Sequence, residues 1–240
     1  GPPTRGEALM TPGASPIALT ASSRPEASGN CIGHCYVAPT LGMAYLSIPK
    51  SGCTSLIKML HAVAIPGFHS ISTRIHREST LPRVHATRCD GAVFRFTFVR
   101  NPYLRLLSFY KNKVLKIADP HPQVRMKLLQ MGLREGMCFA SMVDVLSRVP
   151  PRAMDLHCAR QIMFVYHHGK PVVDFVARLE SLQQDWAGIE SRCNVHTTRL
   201  QENMKSSIDL VGEYRDTSVR ARVHALYRAD FETFGYPSEL

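Results

Sequence analysis

The chain has 240 residues, 45% of them hydrophobic, which is enough for one sizeable core and gives no reason to expect two independent domains. Lys and Arg outnumber Asp and Glu by 29 to 19, and the resulting net charge of +10 favours anionic partners. No hydrophobic run reaches the length of a membrane span, no signal-peptide pattern opens the chain, and seven cysteines at irregular spacing exclude a small disulfide scaffold.

Residues 1–30 are rich in Pro, Gly, Ser, Ala and Thr without apolar periodicity, and read as a flexible arm. The chain opens on Gly1-Pro2 without an initiator Met, which leaves room for a removed amino-terminal anchor. A single domain is expected over 31–240. At its start, Cys31-Ile32-Gly33-His34-Cys35 superficially suggests metal ligation. No second ligand pair at finger spacing accompanies it, so a disulfide or free thiols are expected rather than zinc.

A strand is predicted over 43–48 and an amphipathic helix over 54–64, joined by a tight turn carrying Lys50, Ser51, Gly52, Cys53, Thr54 and Ser55. A strand that runs through small and hydroxyl residues into a helix aims free backbone N–H groups and the positive helix end at one point. Lys50 adds a full charge, Thr54 and Ser55 add hydroxyl donors, and Gly52 permits close backbone approach. The order is not that of a Walker loop, because Lys50 precedes Gly52 and no upstream Gly stands at the required spacing. A nucleotide kinase or hydrolase of the Walker type is therefore disfavoured.

Residues 66–92 form a long polar connection bearing His69, His76 and His85. A second strand is predicted over 94–99, ending at Arg100-Asn101-Pro102, and a helix follows over 103–116. Arg100 thus stands at the carboxyl end of its strand, where open α/β sheets bind ligands. Ser108 lies eight residues further on, about two helical turns into the helix face that looks back to that edge. Helices near 123–131 and 138–147, a strand near 172–175, a helix over 179–189, a loop over 196–213 and a final helix over 217–231 complete the reading. The fold class is α/β, a central parallel sheet flanked by helices.

The segments Leu46-to-Leu60 (LSIPKSGCTSLIKML) and Phe94-to-Tyr110 (FRFTFVRNPYLRLLSFY) together resemble the donor-binding pair of sulfotransferases that use 3′-phosphoadenosine 5′-phosphosulfate (PAPS). Phe175 to Trp186 (FVARLESLQQDW) and Val223 to Tyr236 (VHALYRADFETFGY) are similar to two further segments of the Golgi carbohydrate sulfotransferases of chondroitin and heparan 2-O type. The likeness spans about residues 41 to 237. One departure is that the family's Cys-x-Pro-Cys after a central His-Trp is reduced to His157-Cys158, which leaves the acceptor open.

The resemblance implies a P-loop-like sulfotransferase fold and transfer of a sulfuryl group from PAPS to a hydroxyl, most readily on a carbohydrate, leaving PAP without a metal. It implies that the turn from Lys50 to Ser55 holds the 5′-phosphosulfate, that Arg100 and Ser108 hold the 3′-phosphate, and that Lys205, Ser206 and Ser207 close over the nucleotide. Lys50 would neutralise the leaving phosphate. Several relatives place their catalytic His in the interval that here contains His85, the first candidate for general base, and His157 at the central His-Trp position is the second. A lumenal Golgi enzyme is implied, anchored through a removed segment if at all, and Cys158 with Cys193 is then the first disulfide pair to test. The alternatives are a small-molecule hydroxyl or amine acceptor, or a non-catalytic binder of acidic polymers. Nucleic acid is not expected, because aromatic interleaving and known modules are missing.

Overall fold

The structure is a computed structural model, and it describes residues 17, 29–65, 75–115, 121–196 and 212–239. The predicted arm therefore lies almost wholly outside the described residues, as do His69, Lys205, Ser206 and Ser207.

The first strand, β1 (His34–Ala38), was not foreseen. It folds back through a turn in which Gly42, at φ 60, donates its N–H to the Pro39 carbonyl, and enters β2 (Met43–Ser47). A connection this short can only join antiparallel neighbours. Helix α1 (Cys53–Ala64) follows, then a short helix α2 (Ile75–Glu78), a three-residue strand β3 (Arg83–His85) and β4 (Phe94–Val99). Helix α3 (Pro102–Phe109) starts where Asn101 accepts from the N–H groups of Tyr103 and Leu104, with Pro102 in the first turn. It does not run on as one α-helix: Tyr110–Val114 is a π-turn, closed by the Leu115 N–H on the Tyr110 carbonyl.

Two amphipathic helices, α4 (Pro122–Gln130) and α5 (Phe139–Arg148), precede the short α6 (Ile162–Val165) and a small hairpin of β5 (Tyr166–His167) and β6 (Lys170–Pro171). The strand expected near 172–175 begins later, as β7 (Phe175–Arg178). Asp174 accepts from both the main chain and the guanidinium of Arg95, which fixes a bend there before the ladder to β4 begins. Helices α7 (Leu182–Cys193) and α8 (Thr217–Phe234) complete the described chain, α8 being capped by Asp216.

The central sheet has the order β3-β1-β2-β4-β7. Three of its strands, β2, β4 and β7, are parallel, whereas β1 and β3 add an antiparallel edge, so the sheet is mixed rather than parallel throughout. Helices cover both faces, as expected for α/β architecture. Alternation along β2 sends Met43 and Tyr45 to one face and Ala44 and Leu46 to the other. The first face packs against α1 and α7, with Trp186 fully buried between Phe96 and Phe98 at ring distances of 5.9 and 6.5 Å. The second packs against α3, α5 and α8 through Tyr103, Phe139, Tyr214 and Phe231.

This layering settles one cysteine question. Cys158 belongs to the second core and Cys193 to the first, on opposite faces of the sheet, and all seven thiols are free. The Cys158–Cys193 bridge implied by the resemblance does not form, because the sheet stands between its partners.

Candidate active site

The parallel strands β2 and β4 run side by side, with Leu46 opposite Thr97, and end at the same edge of the sheet. Beyond β2 the chain reaches Lys50 and beyond β4 it reaches Arg100, so adjacent strands deliver both cations to one place. Arg100 Nη1 donates to the Lys50 carbonyl at 3.2 Å.

The turn after β2 is tight. Ser51 N–H donates to the Ile48 carbonyl at 3.3 Å, and the residues on either side of Ser51 are left-handed, Lys50 at φ 68 and Gly52 at φ 77. Glycine adopts that region freely, whereas a residue with a Cβ loses about 1–2 kcal/mol there. Strain at Lys50 survives because neighbouring groups hold the turn on three sides. Gly52 caps α1 without any side-chain acceptor, and its first turn carries no acidic residue. By contrast α3 and α8 are capped by Asn101 and Asp216. The positive end of α1 is thus left to attract an anion.

Two buried side chains, Arg105 and Gln161, hold this turn and a third, Asp230, holds Gln161, and sequence reasoning gave none of them that role. Arg105, almost completely buried, donates to the carbonyls of Pro49 at 3.0 Å, Ala159 at 2.7 Å and Leu156 at 3.4 Å. Gln161 Oε1 accepts from Ser51 Oγ at 3.1 Å and from Arg100 N–H at 2.9 Å, while its Nε2 donates to the Arg100 carbonyl at 2.8 Å. Asp230 on α8 accepts from the N–H groups of Gln161 and Ile162 at 2.8 and 2.9 Å. Every polar atom of the Gln161 amide is matched on both its donor and acceptor sides. One signal for Asp230 was present in the sequence: it shares the core-facing stripe of α8 with Val223, Tyr227 and Phe234, where an unpaired carboxylate would not be tolerated.

The electrostatics are strongly positive. Burial drives the Lys50 ammonium down to about 8, with Cys53 opposing and Lys113, Arg100 and Arg105 adding to the effect. Burial likewise lowers Arg100, and it raises the Cys53 thiol, which disfavours its thiolate form. Ser108 is buried on α3, and its carbonyl accepts from Asn112 Nδ2 at 2.8 Å. Among the described residues no hydrogen bond joins the Ser108 side chain to Arg100 or Lys50.

The three described histidines of interest differ sharply. His85 Nε2 meets the Cys31 carbonyl at 3.0 Å, and its Nδ1 faces Thr87 Oγ1 at 2.7 Å and accepts from Thr87 N–H at 3.4 Å. Both ring nitrogens are occupied, Nε2 in tying the end of β3 to the start of the domain and Nδ1 in capping the turn that follows β3. Among the described residues His157 is held by Asp155, Nδ1 to Oδ1 at 2.6 Å, with the His157 N–H also donating to that oxygen at 2.9 Å. Burial would raise the Asp155 carboxyl, but its bonds to His157 and the charges of His157 and Lys113 hold it below its usual range. His76 on α2 lies over the first turn of α1, its Nε2 3.2 Å from Thr54 Oγ1 and 3.4 Å from Cys53 Sγ. The structure thus gathers Lys50, Arg100, Lys113, the Asp155–His157 pair and His76 around one turn.

Two clefts on the described surface lie elsewhere. One of about 580 Å³ is lined by Tyr103, Arg220, Ala221, His224, Ser238 and Glu239, and one of about 270 Å³ lies between Pro150 and Met163. Neither includes a residue of the turn, and neither collects the cations that the turn does, so chemistry rather than concavity locates the site. No group of His, Cys, Asp and Glu among the described residues is placed to hold a metal ion, and no described helix is long and apolar enough to cross a membrane.

A family model described as the sulfotransferase family matches residues 33–237, a span that contains every element of the sheet and of the site. No curated protein and no solved structure matches the chain.

Proposed function

Because the chain belongs to the sulfotransferase family and is a sulfotransferase enzyme, we propose that it moves a sulfuryl group from PAPS, the donor generally used in that family, to a carbohydrate hydroxyl. One observation carries the donor assignment: an uncapped helix N-terminus, a half-buried Lys50 and a buried Arg100 meet at the ends of two adjacent parallel strands. That arrangement suits two anionic groups on one ligand. The N–H groups of Cys53, Thr54 and Ser55, with the Thr54 and Ser55 hydroxyls, hold the 5′-phosphate beside Ser51 and Gly52. Arg100 holds the 3′-phosphate, with Ser108 as its partner on α3.

Bound PAPS supplies an activated sulfur–oxygen bond to a good leaving phosphate. The protein's part is positioning and charge. Lys50 neutralises the phosphate oxygen as the S–O bond to it breaks. A base takes the acceptor's proton as the new S–O bond forms, and His157 fits that task better than His85. With Nδ1–H donated to Asp155, His157 keeps a lone pair on Nε2, whereas both nitrogens of His85 are engaged. This reverses the order in which the sequence ranked the two.

The carbohydrate acceptor is supported by the likeness of residues 175–186 and 223–236 to Golgi carbohydrate sulfotransferases and by the net charge of +10, which suits acidic glycans. A Golgi lumenal location belongs to the same reading. Thermal shift with PAP, AMP and ATP tests the donor: PAP should stabilise most, and equal shifts would remove the PAPS assignment. Transfer of labelled sulfate from PAPS to a panel of glycans and small hydroxyl and amine acceptors tests the rest. Labelling of small molecules alone would discard the carbohydrate.

A further inference from the structure

His76 stands where the proposed reaction has so far assigned no group. Its ring approaches the first turn of α1 through Nε2, and its Nδ1 lies 3.5 Å from the hydroxyl of Tyr36, a buried β1 residue whose ring meets the imidazole edge-on at 6.4 Å. Tyr36 also reaches the His76 carbonyl at 3.4 Å, so β1 supports both the ring and the main chain of α2. The charged and titratable groups that face the imidazole are Arg83 from β3, His157 from the loop before α6, Cys53 from α1 and Tyr36 from β1. Burial, with Arg83 and His157 adding to it, pushes the imidazole down to about 4. At neutral pH the ring carries no charge and offers one N–H and one lone pair.

His76 therefore touches the donor-binding turn and lies within electrostatic reach of the proposed base. A sulfuryl group passing from the 5′-phosphate at that turn toward an acceptor oxygen at His157 leaves from beside the ring. We propose that His76 is a further catalytic residue of the sulfuryl transfer, a neutral imidazole whose Nε2–H donates to an oxygen of the sulfuryl group itself, with Tyr36 supporting the ring and the main chain of α2 from β1. The proposal rests on the PAPS reading above. In a loose transition state charge leaves the transferring group for the phosphate. A neutral donor aligns the sulfuryl oxygens without drawing that charge back, and it leaves neutralisation to Lys50. His76 keeps its proton throughout: the acceptor's proton goes to His157, the bond from sulfur to phosphate oxygen breaks, and the bond from sulfur to acceptor oxygen forms.

The test separates the sulfuryl group from the nucleotide, because PAP lacks the former. His76→Ala should lower kcat by roughly 10²-fold, the scale of one lost positioned donor, while PAP affinity by calorimetry stays within about twofold, less than the loss expected for a direct phosphate contact. His76→Gln, which places an amide N–H near the Nε2 position, should recover about tenfold of that loss and keep the parent's pH–rate profile. Tyr36→Phe should lower kcat in the same direction without changing PAP affinity. The idea is overturned if His76→Ala retains kcat within about threefold of the parent, or if PAP affinity falls as far as kcat does. If His76→Ala fails to fold, His76→Gln decides instead: a kcat about tenfold below the parent's with an unchanged pH profile supports the assignment, and an altered pH profile sinks it. Failure of the underlying reading looks different: the parent protein itself would then show no preference for PAP over AMP and no transfer from PAPS.

Discussion

Arg100 and Lys50 are joined through the main chain: the guanidinium of the first donates to the carbonyl of the second, whose backbone stands left-handed at φ 68. The two cations are therefore positioned as a unit. Arg100→Ala should weaken PAP binding by roughly 1.5–3 kcal/mol through its lost charge-assisted contact. It should also lower kcat through the loosened Lys50 turn. Calorimetry with PAP and turnover at saturating PAPS measure the two effects, and a change confined to binding would show that the turn stands without Arg100.

Lys50 gives a pH signature with two opposite signs. Its ammonium is held at about 8 against an ordinary 10.5, so between those values the unfolded chain binds more protons and the free protein gains stability as pH rises. Anion affinity should do the reverse, falling as pH rises through about 8 and the charge is lost. Thermal melts and PAP titrations from pH 7 to about 10 would reveal the divergence. Lys50→Ala should abolish both trends and lower kcat by roughly 10²-fold.

The histidines should separate cleanly. His157→Ala should lower kcat by roughly 10²-fold or more with little change in melting temperature, and Asp155→Asn should lower it by weakening the hold on the ring. His85→Ala should leave turnover near the parent's but reduce stability by about 1–3 kcal/mol, since it releases the Cys31 carbonyl and the Thr87 N–H. Single-turnover assays alongside urea melts decide between the two, and a large loss of kcat at His85 would restore it as base.

Removing the Gln161 amide leaves Ser51 Oγ and both main-chain groups of Arg100 without their partner. Gln161→Ala should cost about 1–3 kcal/mol, or a drop of roughly 2–4 °C in Tm per kcal/mol for a chain of this size. PAP affinity should fall with it. An unchanged PAP affinity would mean that the turn is held by Arg105 alone.

Thiol chemistry checks the layering. Hydrogen bonds involving Ser141 lower the exposed Cys138 thiol, whereas burial pushes Cys158 up to about 12. A limiting amount of alkylating reagent should label Cys138 first and spare Cys158, with activity intact. Non-reducing peptide mapping should find no Cys158–Cys193 peptide.

What the sequence disclosed was what is local. The Lys50 turn and the Arg100-Asn101-Pro102 boundary were legible because strand, turn residues, cap and helix follow one another within a few positions. β1 was hard to read because it is short and abuts the Cys31-to-Cys35 run, leaving only Tyr36 and Val37 as good strand formers before the turn at Pro39 and Gly42. The ranking of His85 over His157 followed position between motifs. Position cannot show that one ring spends both nitrogens on its neighbours while the other, among the described residues, is bonded only through Nδ1. Gln161 and Arg105 were unreadable as site residues for a related reason: their partners lie 110 and 51 to 56 positions away.

Those separations also bear on how the molecule comes into being. Ser51 answers to Gln161 across 110 positions, and Gln161 answers to Asp230 across a further 69. Contacts of such span form late, after the loops between them have closed. On the ribosome, the turn emerges early yet has no Asp230 behind it until α8 leaves the exit tunnel. A nascent chain then carries the strand, the glycine and the lysine without the scaffold that aims them until α8 packs into place.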